Sequence, residues 1–167
     1  MRKLIGKGAF SRAYQIGESQ VEVISSCPTK ECYAMFSQGN PFAPVIEHIG
    51  QKDDKGIFHM PLYPKIKSIK TQFNERGLYV YRELRKLGLD AENYQHFCKM
   101  VENLDLTQDE KDNIISLASD VCNAIDCRDM RFEISPRNVS CDSKGNLIML
   151  DCFFCMKQLR KVRGWVW

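Results

Sequence analysis

The sequence predicts an α+β fold: a β-rich N-terminal part carrying one helix, then a mainly helical remainder. Three observations carry this. Short clusters of β-forming residues alternate with glycine and serine turns before residue 63. Apolar residues recur at helical spacing from Phe73 onward. Pro61 and Pro64 punctuate the chain between the two regimes.

In order along the chain, Leu4–Ile5, Ala13–Ile16 and Val21–Ile24 read as three strands. Gly6 and Gly8 turn the first into the second, and Gly17-Glu18-Ser19 turns the second into the third. Pro28-Thr29 opens a helix over Lys30–Ser37 with Thr29 as its N-cap, and Gly39-Asn40-Pro41 ends it. Val45–Ile49 and Ile57–Leu62 read as two further strands joined by the polar turn Gln51–Gly56. The first part is therefore β-β-β-α-β-β, five strands and one helix. Residues 1–63 form this β-rich lobe, residues 64–167 a helical lobe, and the prolines mark the hinge.

In the second lobe, Phe73, Leu78, Tyr81, Leu84 and Leu87 fall at helical spacing, and Gly88 ends the run. Thr107-Gln108-Asp109-Glu110 is a capping-box pattern, in which Thr107 and Glu110 each satisfy a backbone donor of the first turn. It opens a helix whose apolar stripe is Ile114, Leu117, Ala118, Val121, Cys122 and Ile125. Val139–Cys141 and Leu147–Leu150 then form a small hairpin around Asp142-Ser143-Lys144-Gly145-Asn146.

Bulk properties exclude several classes. The hydrophobic fraction is 44% and the charged fraction 27%, ordinary for a protein that buries a core. No apolar run is long enough to span a bilayer. Met1-Arg2-Lys3 is followed by only two apolar residues before the glycines, which does not read as a signal peptide and points to the cytosol. The net charge of +3 is too small to imply nucleic-acid binding. Basic residues nevertheless gather at Lys65, Lys67 and Lys70, and again at Lys157, Arg160, Lys161 and Arg163. Each group reads as a solvated face, or as a surface for an acidic partner or phosphate. The eight cysteines are scattered. Cys152-x-x-Cys155 and Cys122…Cys127 have partial zinc spacing, but buried or half-buried thiols are the favoured reading.

Three segments carry chemistry. LIGKGAFSRAY, Leu4–Tyr14, places glycines where a backbone can approach a phosphate and aim N–H groups at it. FEISPRNV, Phe132–Val139, is a polar loop before a strand, and LIMLD, Leu147–Asp151, is an apolar strand ending in aspartate. In this order they resemble a protein kinase, and more narrowly the small early serine/threonine kinases of autographivirus-type, short-tailed bacteriophages. The resemblance implies a minimal bilobal fold with ATP and Mg as cofactors. It implies that Gly6, Gly8 and Phe10 cover the phosphates, that Asn138 and Asp151 hold the metal, and that Glu133 stands in the place of the catalytic aspartate. Asp151-Cys152-Phe153 occupies the D-F-G position without its glycine.

Two departures point to impaired phosphotransfer. Glu133 is one methylene longer than aspartate, and a displacement of about 1 Å can cost about a hundredfold in rate. Ser25 stands where the lysine of the third strand belongs. Lys7 and Lys30 are the nearest substitutes, and Glu31 is the candidate helix glutamate, its usual partner missing. The stretch after Asp151 is short for the substrate-holding helices of a full kinase. The expected function is a kinase-like, degenerate protein that binds a host protein in an infected bacterial cytoplasm. An active atypical kinase and an unrelated α+β binding protein are the alternatives. Trp165 and Trp167, with the basic residues before them, form a candidate interaction hook. His48, His59 and His96 read as ordinary surface or core residues.

Overall fold

A computed structural model describes residues 2–88, 92–123 and 125–164. Its N-terminal part is a five-stranded antiparallel sheet of β1 (Lys3–Lys7), β2 (Ser11–Gln15), β3 (Gln20–Ser25), β4 (Glu47–Lys52) and β5 (Lys55–Pro61), ordered β1-β2-β3-β5-β4. Helix α1 (Pro28–Phe36) crosses from β3 to β4. Strand β3 shows why the sheet has an inside. Val21, Val23 and Ser25 are buried, whereas Glu22 and Ile24 between them are only half-buried. With a side-chain period of two, one face meets the core and the other meets solvent.

Several boundaries differ from expectation for identifiable reasons. The N-cap of α1 is Cys27, not Thr29, and Pro28 takes the first helical position, where its fixed φ suits the helix and its missing N–H costs nothing. Thr29 is instead buried in the first turn, its hydroxyl 2.9 Å from the Cys27 thiol. The fourth strand starts at Glu47 rather than Val45, because the Val45 N–H donates to the Tyr63 hydroxyl at 2.9 Å. The turn after it is shorter than expected. Lys52 pairs with Lys55 across Asp53 and Asp54, whose φ angles of 50° and 58° make a two-residue hairpin.

The second half contains α2 (Ile69–Gln72), α3 (Glu75–Arg85), α4 (Tyr94–Glu102), α5 (Gln108–Cys122), β6 (Met130–Phe132), β7 (Val139–Cys141), β8 (Leu147–Met149), β9 (Phe153–Cys155) and α6 (Met156–Arg163). The helix expected from Phe73 begins only at Glu75, because Asn74 caps it by accepting the Gly77 N–H at 2.7 Å. The capping box of α5 forms as read: Thr107 accepts from Glu110, whose carboxylate returns to the Thr107 N–H. Ile114, Leu117, Ala118 and Val121 form its buried stripe, and Ile125 is buried just beyond the helix. The pairing of β6 with β9 and the helices α4 and α6 were not anticipated. Phe97, Phe132 and Phe153 join α4, β6 and β9, with ring centroids 4.9–5.5 Å apart.

The two parts share one apolar core. It runs from Val21, Val23 and Phe58 of the sheet, through Tyr33 of α1, to Leu117 and Val121 of α5 and on to the Phe97 cluster. The connection expected to act as a hinge is tied on both sides. The Leu62 N–H donates to the Ser19 carbonyl at 2.7 Å, and the buried Ser140 hydroxyl donates to the Pro64 carbonyl at 2.6 Å.

Helix α3 is pressed against the β7–β8 turn. The Asn74 N–H donates to the Gly145 carbonyl at 2.9 Å, and a Cβ on Gly77 would lie 2.6 Å from that same carbonyl oxygen. Backbone cannot yield as a side-chain tip does, so Gly77→Ala is expected to destabilise the protein by about 1–3 kcal/mol. Urea unfolding checks this, with Gly39→Ala a poor control (its φ is +84°) and Gly50→Ala, where nothing lies within 4 Å, a suitable one.

Candidate functional site

Strands β6 and β9 pair antiparallel, Phe132 opposite Phe153, so the chain between them must leave and return at one place. The β7–β8 hairpin fills the excursion, and the loop Glu133–Asn138 comes to lie beside Asp151. Backbone hydrogen bonds fix the approach. The Glu133 N–H donates to the Cys152 carbonyl at 2.9 Å, and the Asn138 carbonyl accepts from the N–H groups of Leu150 and Asp151 at 2.9 and 3.1 Å. The Asn138 side-chain amide donates to the Glu133 carbonyl at 3.3 Å, which leaves its amide oxygen as an acceptor. Glu133 and Asp151 are both exposed.

Lys30 reaches this cluster from α1. It is 5% exposed, its ammonium lies 3.1 Å from Asp151 Oδ1, and it also donates to the Leu150 carbonyl. The Tyr33 ring lies 5.7 Å from the same ammonium. A cation in the first turn of a helix opposes the helix dipole, and a buried cation has lost its water. The acceptors at Asp151 and Leu150 offset both costs.

Ser25, where the sequence resemblance expected a lysine, is buried and structural. Its hydroxyl lies 2.7 Å from that of Ser11 and accepts the Cys27 N–H at 3.0 Å. Of the two substitute lysines, only Lys30 meets Asp151. Lys7 is exposed and stands opposite Arg12 in the β1–β2 hairpin. Glu31 is exposed on α1, and among the described residues no ion pair joins it to either lysine.

The glycine loop reaches the cluster indirectly. The Phe10 carbonyl accepts the Ser26 N–H at 3.0 Å, which holds the loop tip to the residue before the Cys27 cap. The expected cradle of inward N–H groups is not formed at Gly8, whose N–H donates to the Ser11 carbonyl at 2.8 Å and closes the turn. Yet neither glycine has a positive φ, and a Cβ at Gly6 or Gly8 would meet its nearest neighbour at 3.5 or 3.9 Å, ordinary contact. Packing therefore does not require these glycines.

Cys27 and Tyr33, to which the sequence assigned no role at the site, border the cluster together with Cys152. Burial pushes the Cys27 thiol up, the Thr29 hydroxyl opposes this, and Asp151 adds to it. Burial likewise raises the Cys152 thiol, reinforced by the adjacent Asp151 carboxylate and opposed by Lys30. Tyr33 is raised well above the ordinary phenol range by burial, and its hydroxyl has no hydrogen-bond partner. Helix α6 closes the corner: the Gln158 side chain donates to the Ser26 carbonyl. Trp165 and Trp167 lie outside the described residues.

The donor set suits magnesium in part. An amide oxygen from Asn138 and a carboxylate from Asp151, whose side chain is 47% exposed, are hard oxygen ligands of the kind Mg uses together with phosphates and water. Among the described residues no group of three or more His, Cys, Asp or Glu side chains could hold a metal. Nor is any helix among them long and apolar enough to cross a membrane. No protein-family model and no curated protein matches the chain.

The buried, raised thiols give a direct test of this geometry. With iodoacetamide at about pH 8, exposed Cys127 is expected to react first, and Cys27 and Cys152 only on unfolding. Peptide mass spectrometry reads this out, and rapid native labelling of Cys152 would contradict the enclosed cluster.

Proposed function

We propose that the chain is a kinase-like protein of the autographivirus-type phage lineage that acts by binding a host protein in the bacterial cytoplasm, with phosphotransfer weak or lost. The segments LIGKGAFSRAY and FEISPRNV support the lineage. The juxtaposition of Glu133, Asn138 and Asp151 supports the kinase-like arrangement, because phosphoryl transfer needs those three roles in one place.

One observation carries the loss of activity. The sheet offers no cation at the third-strand position, since Ser25 is held by Ser11 and the Cys27 N–H. The cation that does enter, Lys30, is paired with Asp151, the carboxylate that would otherwise face a metal ion. Glu133 adds a longer arm where positioning tolerates little error.

A second reading, an active atypical serine/threonine kinase, is favoured by the same lysine. Lys30 brings positive charge to the side chain at which a kinase binds its metal, by another route. In that reading Asn138 and Asp151 hold Mg, Gly6, Gly8 and Phe10 cover the phosphates, and Lys30 supplies the missing charge. ATP when bound supplies the phosphoryl group, and Glu133 orients the receiving hydroxyl.

Radiolabelled ATP with Mg, the purified chain and a bacterial lysate separate the two. The proposed function expects the same background label for the natural protein, Glu133→Ala and Asp151→Ala. Transfer that disappears in both variants would establish the second reading. Glu133 is exposed, so its variant folds even if Asp151→Ala does not. A thermal shift of about 5–10 °C with MgATP at about 100 times its Kd, abolished in Lys30→Met, would also favour the active enzyme.

A further inference from the structure

Two like-charge pairs stand directly opposite one another at one end of the sheet. Lys7 faces Arg12 across the β1–β2 hairpin, and Lys52 faces Lys55 across the β4–β5 hairpin. Like charges in register destabilise a sheet. All four side chains are exposed, and among the described residues none forms an ion pair with a carboxylate. They line a single cavity of about 530 Å³. A fold that places two such unfavourable pairs around one concavity is breaking a local rule in a way that an anionic occupant would offset.

The cavity lies away from the Lys30–Asp151 cluster. Arg12 pairs with Ile24, and both belong to the face opposite Val23 and Ser25, which point into the core. Its apolar lining includes Phe10 of the loop tip and Val162 of α6, which is 50% exposed. Helix α6 carries Lys157, Arg160, Lys161 and Arg163 and no acidic residue. The groove therefore combines the cations of the two hairpin tips with an apolar lining, to which α6 contributes Val162.

We infer that this groove, formed by the two hairpin tips and α6, docks an acidic protein segment in which carboxylates are interspersed with apolar side chains. Nucleic acid fits less well. Base stacking along a strand needs several open aromatic faces, and of the two rings in the groove Tyr14 is already covered by the Arg2 guanidinium at 3.8 Å, which leaves Phe10 alone. Asp53 at the tip of the second hairpin also interrupts the positive rim that a phosphate backbone would follow. The carboxylates of a peptide pair with the four cations, and its apolar side chains rest on Phe10 and Val162. The groove shares Gly8 and Phe10 with the loop that covers the phosphates in the second reading, so the two uses meet at the loop tip.

Fluorescence anisotropy with the full chain tests the inference. The probes are a short labelled peptide alternating Glu and Leu, its Lys-for-Glu counterpart, and a single-stranded oligonucleotide. Salt-dependent binding of the acidic peptide is expected, weakened about tenfold or more by Lys52→Glu with Lys55→Glu, and likewise by Lys7→Glu with Arg12→Glu. Lys65→Glu with Lys67→Glu makes the same change of charge outside the groove and is expected to leave binding within about twofold. Single Lys55→Glu replaces a repulsive pair by an attractive one, so it is expected to retain the fold and still bind less. Equal weakening by the control pair, no binding of the acidic peptide, or tighter binding of the oligonucleotide would each overturn the inference.

Discussion

Lys30 enters the interior from the first turn of α1, at the helix end where a positive charge is least welcome, and with almost no water around it. Everything near the candidate site is arranged so that this is tolerable. Asp151 must lie within reach, so the chain after β8 must pass under α1. The Leu150 carbonyl must turn toward the ammonium, and the Asn138 carbonyl holds that stretch by accepting two consecutive N–H groups. Beside the shared apolar core, this ion pair ties the sheet-bearing part of the chain to the loop-bearing part.

The same constraint explains the neighbouring thiols and the phenol. Cys27, Cys152 and Tyr33 surround the pair with groups that stay neutral, because burial holds all three above their ordinary pKa ranges. A neutral, low-dielectric surround strengthens the attraction between ammonium and carboxylate. It also penalises the loss of either partner. Asp151 is half-exposed and can be hydrated alone, but Lys30 cannot.

Much of this was legible in the sequence. The five-strand, one-helix order of the first part follows from β-formers, turn glycines and prolines, and the capping box at Thr107 was visible as four letters. Glu133, Asn138 and Asp151 were found from a motif and do adjoin. What was hidden depends on long-range contact. Three-residue strands such as β6 and β9 show no periodicity, and their pairing becomes apparent only once Phe97 packs across both. Thr29 looked like a cap because its type is common there, yet with Pro28 at the first helical position the helix starts two residues earlier. Lys30 and Lys7 were equal candidates on charge alone. Which one enters was decided by strand register, which sends Lys7 to the hairpin tip opposite Arg12, and by helix phase, which turns Lys30 inward.

A double-mutant cycle on Lys30→Met and Asp151→Asn, read by urea unfolding, tests the central claim most directly. If the buried ammonium depends on this carboxylate, Asp151→Asn alone costs about 3 kcal/mol, and adding Lys30→Met recovers a large part of it, with a coupling of about 1.5 kcal/mol or more. Effects that simply add, within about 0.5 kcal/mol, would contradict the dependence of the fold on this pair.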